Sequence, residues 1–529
     1  MTPQPFRRSA PAWSLIGGAA LLQAALHAAS VGRYGIFRDE LYYLSCASRP
    51  AAGYVDQPAF SILFLSAWRA LFGDSALALM VPPALCGIAA VVLTGLLARR
   101  FGGGSAAQGL AAAAAAVAPI WVGMTGYYSM NAFDILFWTL AASLLARILE
   151  GDLETGPRGG AGRLWLLLGT VLALGLLNKI SVLWLGFGIF AGLVLTPARR
   201  WLTTLGPWLA GGIAFLGLLP YLAWNALHRW PTLEFMRRAT SEKYVASSPI
   251  TFGKDLLLFF DPLAAPLWIG GLLWLLASRD GKRFRALGVV FVATFAILLA
   301  NGTSKAEYLA AAFAPLVAAG GVVAERVLHR GRSAAPAVAY AVILLATGLA
   351  LAPLAIPLLS PTAYVAYAKR LGVGAPTTER NEMGPLPQHF ADRFGWPEMA
   401  AEVARVAATL TEAERKTARV WARNYGEAAA LEKYGAPLNV PPVLCPHNSF
   451  WFWSVAAIEV AEKNAPFKGP LVVIGGRRET LTGVFGRVEE AGRTGHQLAM
   501  PYENGRPIWI CREPKEDLRT ILLRDRLFI

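Results

Sequence analysis

Long apolar stretches alternate with short polar junctions over the first two thirds of the chain. They lie near residues 13–31, 76–98, 105–122, 132–149, 163–178, 181–197, 205–225, 256–278, 286–300, 306–324 and 335–357. Apolar runs of about 20 residues are long enough to cross a bilayer as helices. Only helices and closed barrels satisfy their backbone groups in lipid, and these runs lack the alternation of barrel strands. The pattern therefore predicts a mainly α, polytopic membrane protein with about eleven transmembrane helices. From about residue 358 the long runs stop. Residues 396–415 predict a helix with a turn opening at Thr411, 417–423 a strand, 425–431 a helix, and 470–475 and 507–511 further strands. The expected division is a membrane domain over 1–357 and a small α/β domain over 358–529.

The outer loop at 32–75 carries Leu41-Tyr42-Tyr43-Leu44 and the stretch from Phe60 to Trp68. Both predict amphipathic helices in the membrane interface, with aromatics at headgroup depth. The loop at 226–255, with His228, Trp230, Arg237, Arg238, Lys243 and Tyr244, is polar enough for a flap.

Composition agrees with the pattern. The 529 residues are 55% hydrophobic and 16% charged, where about a quarter is typical of soluble domains. The net charge is +15, but the arginines are scattered over short loops with no aromatic-interleaved patch. That argues against nucleic-acid binding and for contact with membrane lipids.

The charges also orient the chain. Arg7/Arg8, Arg99/Arg100, Arg158/Arg163, Arg199/Arg200, Arg279/Lys282/Arg283/Arg285 and Arg326/Arg330/Arg332 fall at every second junction. The positive-inside rule puts them in the cytoplasm, with the N-terminus, and puts 358–529 outside. Met1 to Trp13 is read as the start of a retained first helix, not a cleaved signal. On the outer face then gather Asp39, Glu40, Asp56, Asp134, Lys179 and Lys305 to Tyr308.

These are the residues that call for chemistry. Ionisable groups near a membrane interior are costly and usually functional. The pair Asp39-Glu40 directly follows the first apolar segment. Asp39 can act as general base toward an acceptor hydroxyl, with Glu40 orienting or stabilising. Asp56, in Tyr54-Val55-Asp56-Gln57-Pro58, supplies another carboxylate or an Asx-type turn. It can divide duties with Asp39 or share a divalent cation with it. Asp134 opens the fourth helix, as an N-cap or as a further acid. Lys179 and Lys305 can hold a lipid phosphate, with the Tyr308 hydroxyl adding a hydrogen bond.

Other features are weaker. Asn301-Gly302-Thr303 matches a glycosylation sequon. Asn424-Tyr425-Gly426-Glu427 and Pro446-His447-Asn448-Ser449 are polar clusters open to turn or carbohydrate roles. A disulfide between Cys445 and Cys511 stays open. No Walker loop, dinucleotide fingerprint, nucleophile elbow or zinc-ligand spacing is found, so nucleotide-driven chemistry is not expected.

The order of these motifs is distinctive. An acidic pair after helix one, Tyr54-x-Asp56-x-Pro58, Asp134, Gly175-Leu176-Leu177-Asn178-Lys179 and Lys305-x-x-Tyr308 together resemble the family-39 glycosyltransferases, relatives of protein O-mannosyltransferases and lipid A aminoarabinose transferases. The resemblance spans about 13–357. The tail, with Phe394-Gly395-Trp396, Asn424 to Ala428 and His447-Asn448-Ser449, resembles the extracytoplasmic domain of one bacterial subgroup. The resemblance implies a GT-C fold, a polyprenyl-phosphate sugar donor and an inverting transfer, with Asp39 as base and Asp56 as the acid of the second motif. The family often carries Asp-His-Pro-Pro or Glu-Lys-Pro-Pro there. This chain has Asp56-Gln57-Pro58-Ala59, with no basic residue between acid and proline.

The expectation is an inner-membrane bacterial glycosyltransferase that transfers sugar to an extracytoplasmic lipid, glycan or protein, with no firm cofactor requirement. The rival is a transporter or flippase of lipid-linked sugars, whose signature would be mid-helix charges and repeated broken helices.

Overall fold

A computed structural model describes residues 9–154, 161–328, 333–374, 379–461 and 467–529. Arg7, Arg8, Arg158, Arg330 and Arg332, used above for orientation, lie outside them. The chain forms two compact units. One is Met1–Arg33, Asp74–Ala223 and Ala246–Leu359; the other is Tyr34–Gly73, Trp224–Val245 and Ser360–Ile529.

The first unit is helical. Every apolar stretch is at least partly helix, because Leu, Ala and Val runs keep helix propensity while presenting only apolar surface. Among the described residues, five helices qualify as membrane spans by length and composition: Ala76–Arg100, Met130–Gly151, Leu205–Leu227, Gly281–Asn301 and Ala335–Ala355. Three further pairs are bent. Val182–Leu195 and Pro197–Thr203 meet at 106°, Pro249–Phe259 and Pro262–Ala277 at 94°, and Ala306–Ala312 and Ala314–Leu328 at 65°. Counting each pair as one span gives up to eight. Proline marks the first two breaks, where it removes a backbone donor and clashes with the preceding turn.

Small residues let the helices close up. A Cβ on Gly271 would meet the Leu316 carbonyl oxygen at 1.9 Å, and one on Gly320 would meet that of Leu267 at 2.0 Å. Helices Ala265–Ala277 and Ala314–Leu328 therefore pack backbone against backbone, as membrane helices do at small residues.

The second unit is built on a five-stranded sheet. Its strands are β1 (Arg419–Trp421), β2 (Val443–Leu444), β3 (Leu471–Ile474), β4 (Phe485–Arg493) and β5 (Pro507–Pro514), in the order β2-β1-β3-β5-β4. β1 pairs parallel with β2 and β3, while β5 runs antiparallel to β3 and β4. Its core gathers Trp421, Leu444, Val473, Phe485, Trp509 and Leu522. The expected helix at 396–415 is two helices, Trp396–Ala408 and Glu412–Thr417. Thr411 and Glu414 cap the second reciprocally.

Two expectations are corrected here. Cys445 and Cys511 are both free and buried. Cys511 lies on β5 and Cys445 just beyond β2, with β1 and β3 between them. At about 4.8 Å per strand that exceeds the reach of a disulfide. Leu41, Tyr42, Tyr43 and Leu44 also do not form an exposed interfacial face. Helix Arg38–Ala47 buries all four, with the Tyr42 ring 4.8 Å from that of Tyr425. By contrast, helix Phe60–Phe72 exposes Leu63, Leu71 and Phe72 as an interfacial helix would. The expected flap is pinned in its second-unit part: Tyr244 bridges Glu379, Lys243 Nζ lies 3.7 Å from Glu379, and Arg526 donates to Glu234 at 2.8 Å.

Candidate active site

Each unit holds a cluster of the candidate residues. In the second unit, Phe37 is extended and starts helix Arg38–Ala47. Glu40 turns back, its Oε2 accepting the Phe37 backbone N–H at 3.0 Å. Capping satisfies one of the helix's otherwise orphaned donors and buries Glu40. Asp39 is left pointing away, with its side chain 38% exposed.

Asp39 is held on one side. The Tyr425 hydroxyl donates to its Oδ1 at 2.9 Å, and Arg38 Nε lies 3.8 Å from the same oxygen. The Arg38 guanidinium also stacks 5.3 Å from the Tyr425 ring centroid. Burial pushes the Tyr425 phenol well above its ordinary value, with Arg38 pulling the other way. The hydroxyl therefore stays a donor.

Behind Asp39 the network continues. Arg38 meets Asp392 at 3.5 Å and donates to the Tyr502 hydroxyl, which donates to Asp392 Oδ1 at 3.1 Å. Burial lifts Asp392 to about 6, against the lowering charge of Arg38. Arg423 binds Glu427 and also Glu503 at 2.8 Å, and Asn424 donates to Glu503 at 2.8 Å. Asn424 also caps helix Tyr425–Ala430, accepting from the Glu427 N–H at 3.0 Å.

Asp56 is half-buried and accepts from the Tyr42 hydroxyl at 3.1 Å. Burial raises it to about 6, against that hydrogen bond; the Asp39 charge adds a smaller push in the same direction. Asp39 and Asp56 are thus near enough to interact. Among the described residues no three His, Cys, Asp or Glu side chains gather around a metal position, so this pair would supply two ligands at most. His447 is no ligand candidate. Burial lowers it to about 3, and its Nε2 and Nδ1 face the Ile529 carbonyl and the Tyr425 N–H.

The first unit holds Asp134, Lys179 and Tyr308 together. Asp134 does not open its helix, as expected above; the helix begins at Met130. The Ser129 hydroxyl accepts the Asn131 N–H at 3.2 Å, supporting the earlier start. Asp134 is buried and accepts from Ser181 Oγ at 3.0 Å. Lys179 Nζ lies 3.4 Å from Asp134 Oδ2, donates to Asn131 Oδ1 at 2.8 Å, and sits 5.4 Å above the Tyr308 ring. Tyr308 thus offers Lys179 its ring face. Lys305 Nζ is 4.0 Å from Glu307, on the segment that carries Tyr308.

Sequence reasoning gave no role to Arg38, Asp392, Tyr502, Ser181 or Asn131. Arg38 did carry a signal, being an arginine on the face where the positive-inside rule disfavours one. Asp392 and Tyr502 carried none, since nothing in their neighbours distinguishes them from surface residues.

The folded chain is similar to the GT-C membrane glycosyltransferases, the class that its motifs imply. Residues 56–224 match the family model described as dolichyl-phosphate-mannose-protein mannosyltransferase. Crystal structures of ArnT from Cupriavidus metallidurans, one bound to undecaprenyl phosphate and one in the apo state, match at TM-score 0.57 and 14% identity; the match covers 94% of this chain and 98% and 97% of theirs. The arabinofuranosyltransferase AftD from Mycobacteria matches at TM-score 0.51 and 15% identity, over 96% of this chain and 40% of its own. Such identities establish the fold. Comparison with curated protein sequences gives no match.

Proposed function

We propose that the chain is a multi-pass glycosyltransferase of the bacterial inner membrane, with about eleven membrane-crossing segments. It takes a sugar from a polyprenyl monophosphate and moves it to an extracytoplasmic lipid, glycan or protein. The acceptor hydroxyl attacks the anomeric carbon and the bond from that carbon to the phosphate oxygen breaks. The proton goes to Asp39 and the polyprenyl phosphate leaves, inverting the centre. Lys179 and Lys305 receive the phosphate charge, and the paired Asp134 keeps the Lys179 ammonium in place. Glu40 fixes the helix start that aims Asp39, and Asp56 adds negative charge beside it.

The observation that carries this reading is Asp39 itself: open to solvent on one side, and clamped by Tyr425 and Arg38 on the other. Its test is Asp39→Asn in transfer of radiolabelled sugar from polyprenyl phosphate. The expected loss is at least about 100-fold with an unchanged melting temperature. Retained transfer overturns the reading, and translocation of lipid-linked sugar without transfer points to the flippase instead.

The Asp39–Asp56 pair has a second use, as two ligands of a divalent cation completed by water and substrate oxygens. Chelation separates the two. General-base action alone predicts that transfer survives EDTA; transfer lost to EDTA and restored by Mg²⁺ or Mn²⁺ assigns the pair to an ion.

A further inference from the structure

An apolar groove of about 350 Å³ runs along the first unit between helices Gly162–Asn178, Val182–Leu195 and Leu205–Leu227. One wall is the stripe Trp165, Leu172 and Leu176, and Phe187, Phe190 and Phe215 form the opposite side. The three phenylalanines are about half exposed, so the groove opens sideways to the apolar surroundings. From Trp165 to Leu176 the helix rises about 16 Å, close to the depth of one leaflet.

The two ends differ in charge. Beyond Leu176 comes Lys179, already matched by Asp134 and Asn131. Beyond Trp165 come the exposed Arg163, Arg199 and Arg200. The 106° bend after Leu195 turns the segment Pro197–Thr203 aside, and Arg199 and Arg200 lie on that segment just before Leu202, which lines the groove. Trp208, 59% exposed, lines the same end and anchors its indole N–H on the Leu202 carbonyl at 2.9 Å. A cationic, tryptophan-flanked end on a groove one leaflet deep matches a lipid with one chain inside and an anionic head on the arginines.

We infer that this groove holds an anionic phospholipid, with an acyl chain along the Trp165–Leu176 stripe and its phosphate at Arg163, Arg199 and Arg200. This lipid is distinct from the sugar donor, and the inference stands whether or not the chain transfers sugar.

Two glycines make it testable. Gly186 and Gly211 line the groove, and a Cβ at either meets nothing within 4 Å. Leucine at both positions starts from a Cβ that meets nothing, adds bulk into the groove and has better helix propensity than glycine. The measurement is native mass spectrometry of the detergent-purified full chain titrated with phosphatidylglycerol or phosphatidylcholine. The wild type is expected to retain one phosphatidylglycerol at least tenfold more tightly than phosphatidylcholine. Replacing Arg163, Arg199 and Arg200 by Gln should erase that preference, each contributing about fivefold. The pair Gly186→Leu with Gly211→Leu should lose the bound lipid while its melting temperature without lipid holds. Unchanged retention in the filled groove overturns the inference, as does a preference that survives loss of the arginines. Displacement by added polyprenyl phosphate, mole for mole, would assign the groove to the donor and also overturn it.

Discussion

Asp39 takes its direction from residues nearly four hundred positions away. Its Oδ1 accepts the Tyr425 hydroxyl, and the Tyr425 ring carries the Arg38 guanidinium. A carboxylate gripped on one oxygen keeps the other free for a proton from an acceptor, which is the arrangement a general base needs. Tyr425 is therefore a positioning residue. Tyr425→Phe removes only the hydroxyl and keeps the ring under Arg38. The expected result is a fall in kcat of about tenfold with KM for the donor unchanged, since Tyr425 orients the base and touches no part of the donor. A variant with unaltered kcat would make Tyr425 a packing residue. Part of this was legible beforehand. The acidic pair announced itself by sitting between an apolar helix and aromatics, and Asn424 to Glu427 stood out as a polar cluster. The contact joining them was not legible, because nothing local pairs residue 39 with residue 425.

At the scale of elements, the apolar stretches were legible because membrane helices are written in composition. Their bends were not, since hydropathy carries no direction: Pro197 and Pro262 mark two breaks without setting their 106° and 94° angles. In the sheet, β3 showed as a wholly buried Leu-Val-Val-Ile run. β4 stayed hidden, because Phe485-Gly-Arg-Val-Glu-Glu-Ala-Gly-Arg493 buries only Phe485 and Val488 and lies at the sheet's edge. Helix Tyr425–Ala430 rests on a buried arrangement that can be tested directly. Arg423 faces two carboxylates, Glu427 and Glu503, both with side chains under a tenth exposed. One cation cannot balance two buried anions, and burial, with the Glu427 charge next, pushes Glu503 well above the usual carboxylate range. Glu503 is thereby favoured in its protonated form relative to an exposed carboxylate. Glu503→Gln, which mimics that protonated acid, is expected to cost under about 1 kcal/mol. Arg423→Gln leaves Glu427 buried without its cation and is expected to cost about 3 kcal/mol. Thermal unfolding of the solubilised full chain reads both. Equal losses in the two variants would show that the Glu503 carboxylate matters as much as its cation and overturn this assignment.

For the whole molecule, the decisive question is which side of the membrane each polar segment occupies. The basic junctions fall at every second break between apolar stretches, and the segments assigned to the second unit, 34–73, 224–245 and 360–529, fall at other breaks. The proposed topology fits both facts: arginines retained in the cytoplasm, and the sheet unit with Asp39 outside, where a lipid-linked donor can replace a nucleotide sugar. The four native cysteines are buried, so new ones can be introduced and read against a silent background. Cysteine in place of Thr482, an exposed residue of the sheet unit, should react in intact spheroplasts with a membrane-impermeant maleimide. Cysteine in place of Thr203, beside Arg199 and Arg200, should react only after the membrane is opened. Protection at Thr482 and labelling at Thr203 would invert the topology. Asp39 would then face the cytoplasm, where nucleotide sugars are at hand and no motif in this chain binds them. The choice of a polyprenyl-phosphate donor would fall with it, even if the fold and the Asp39 network stood unchanged.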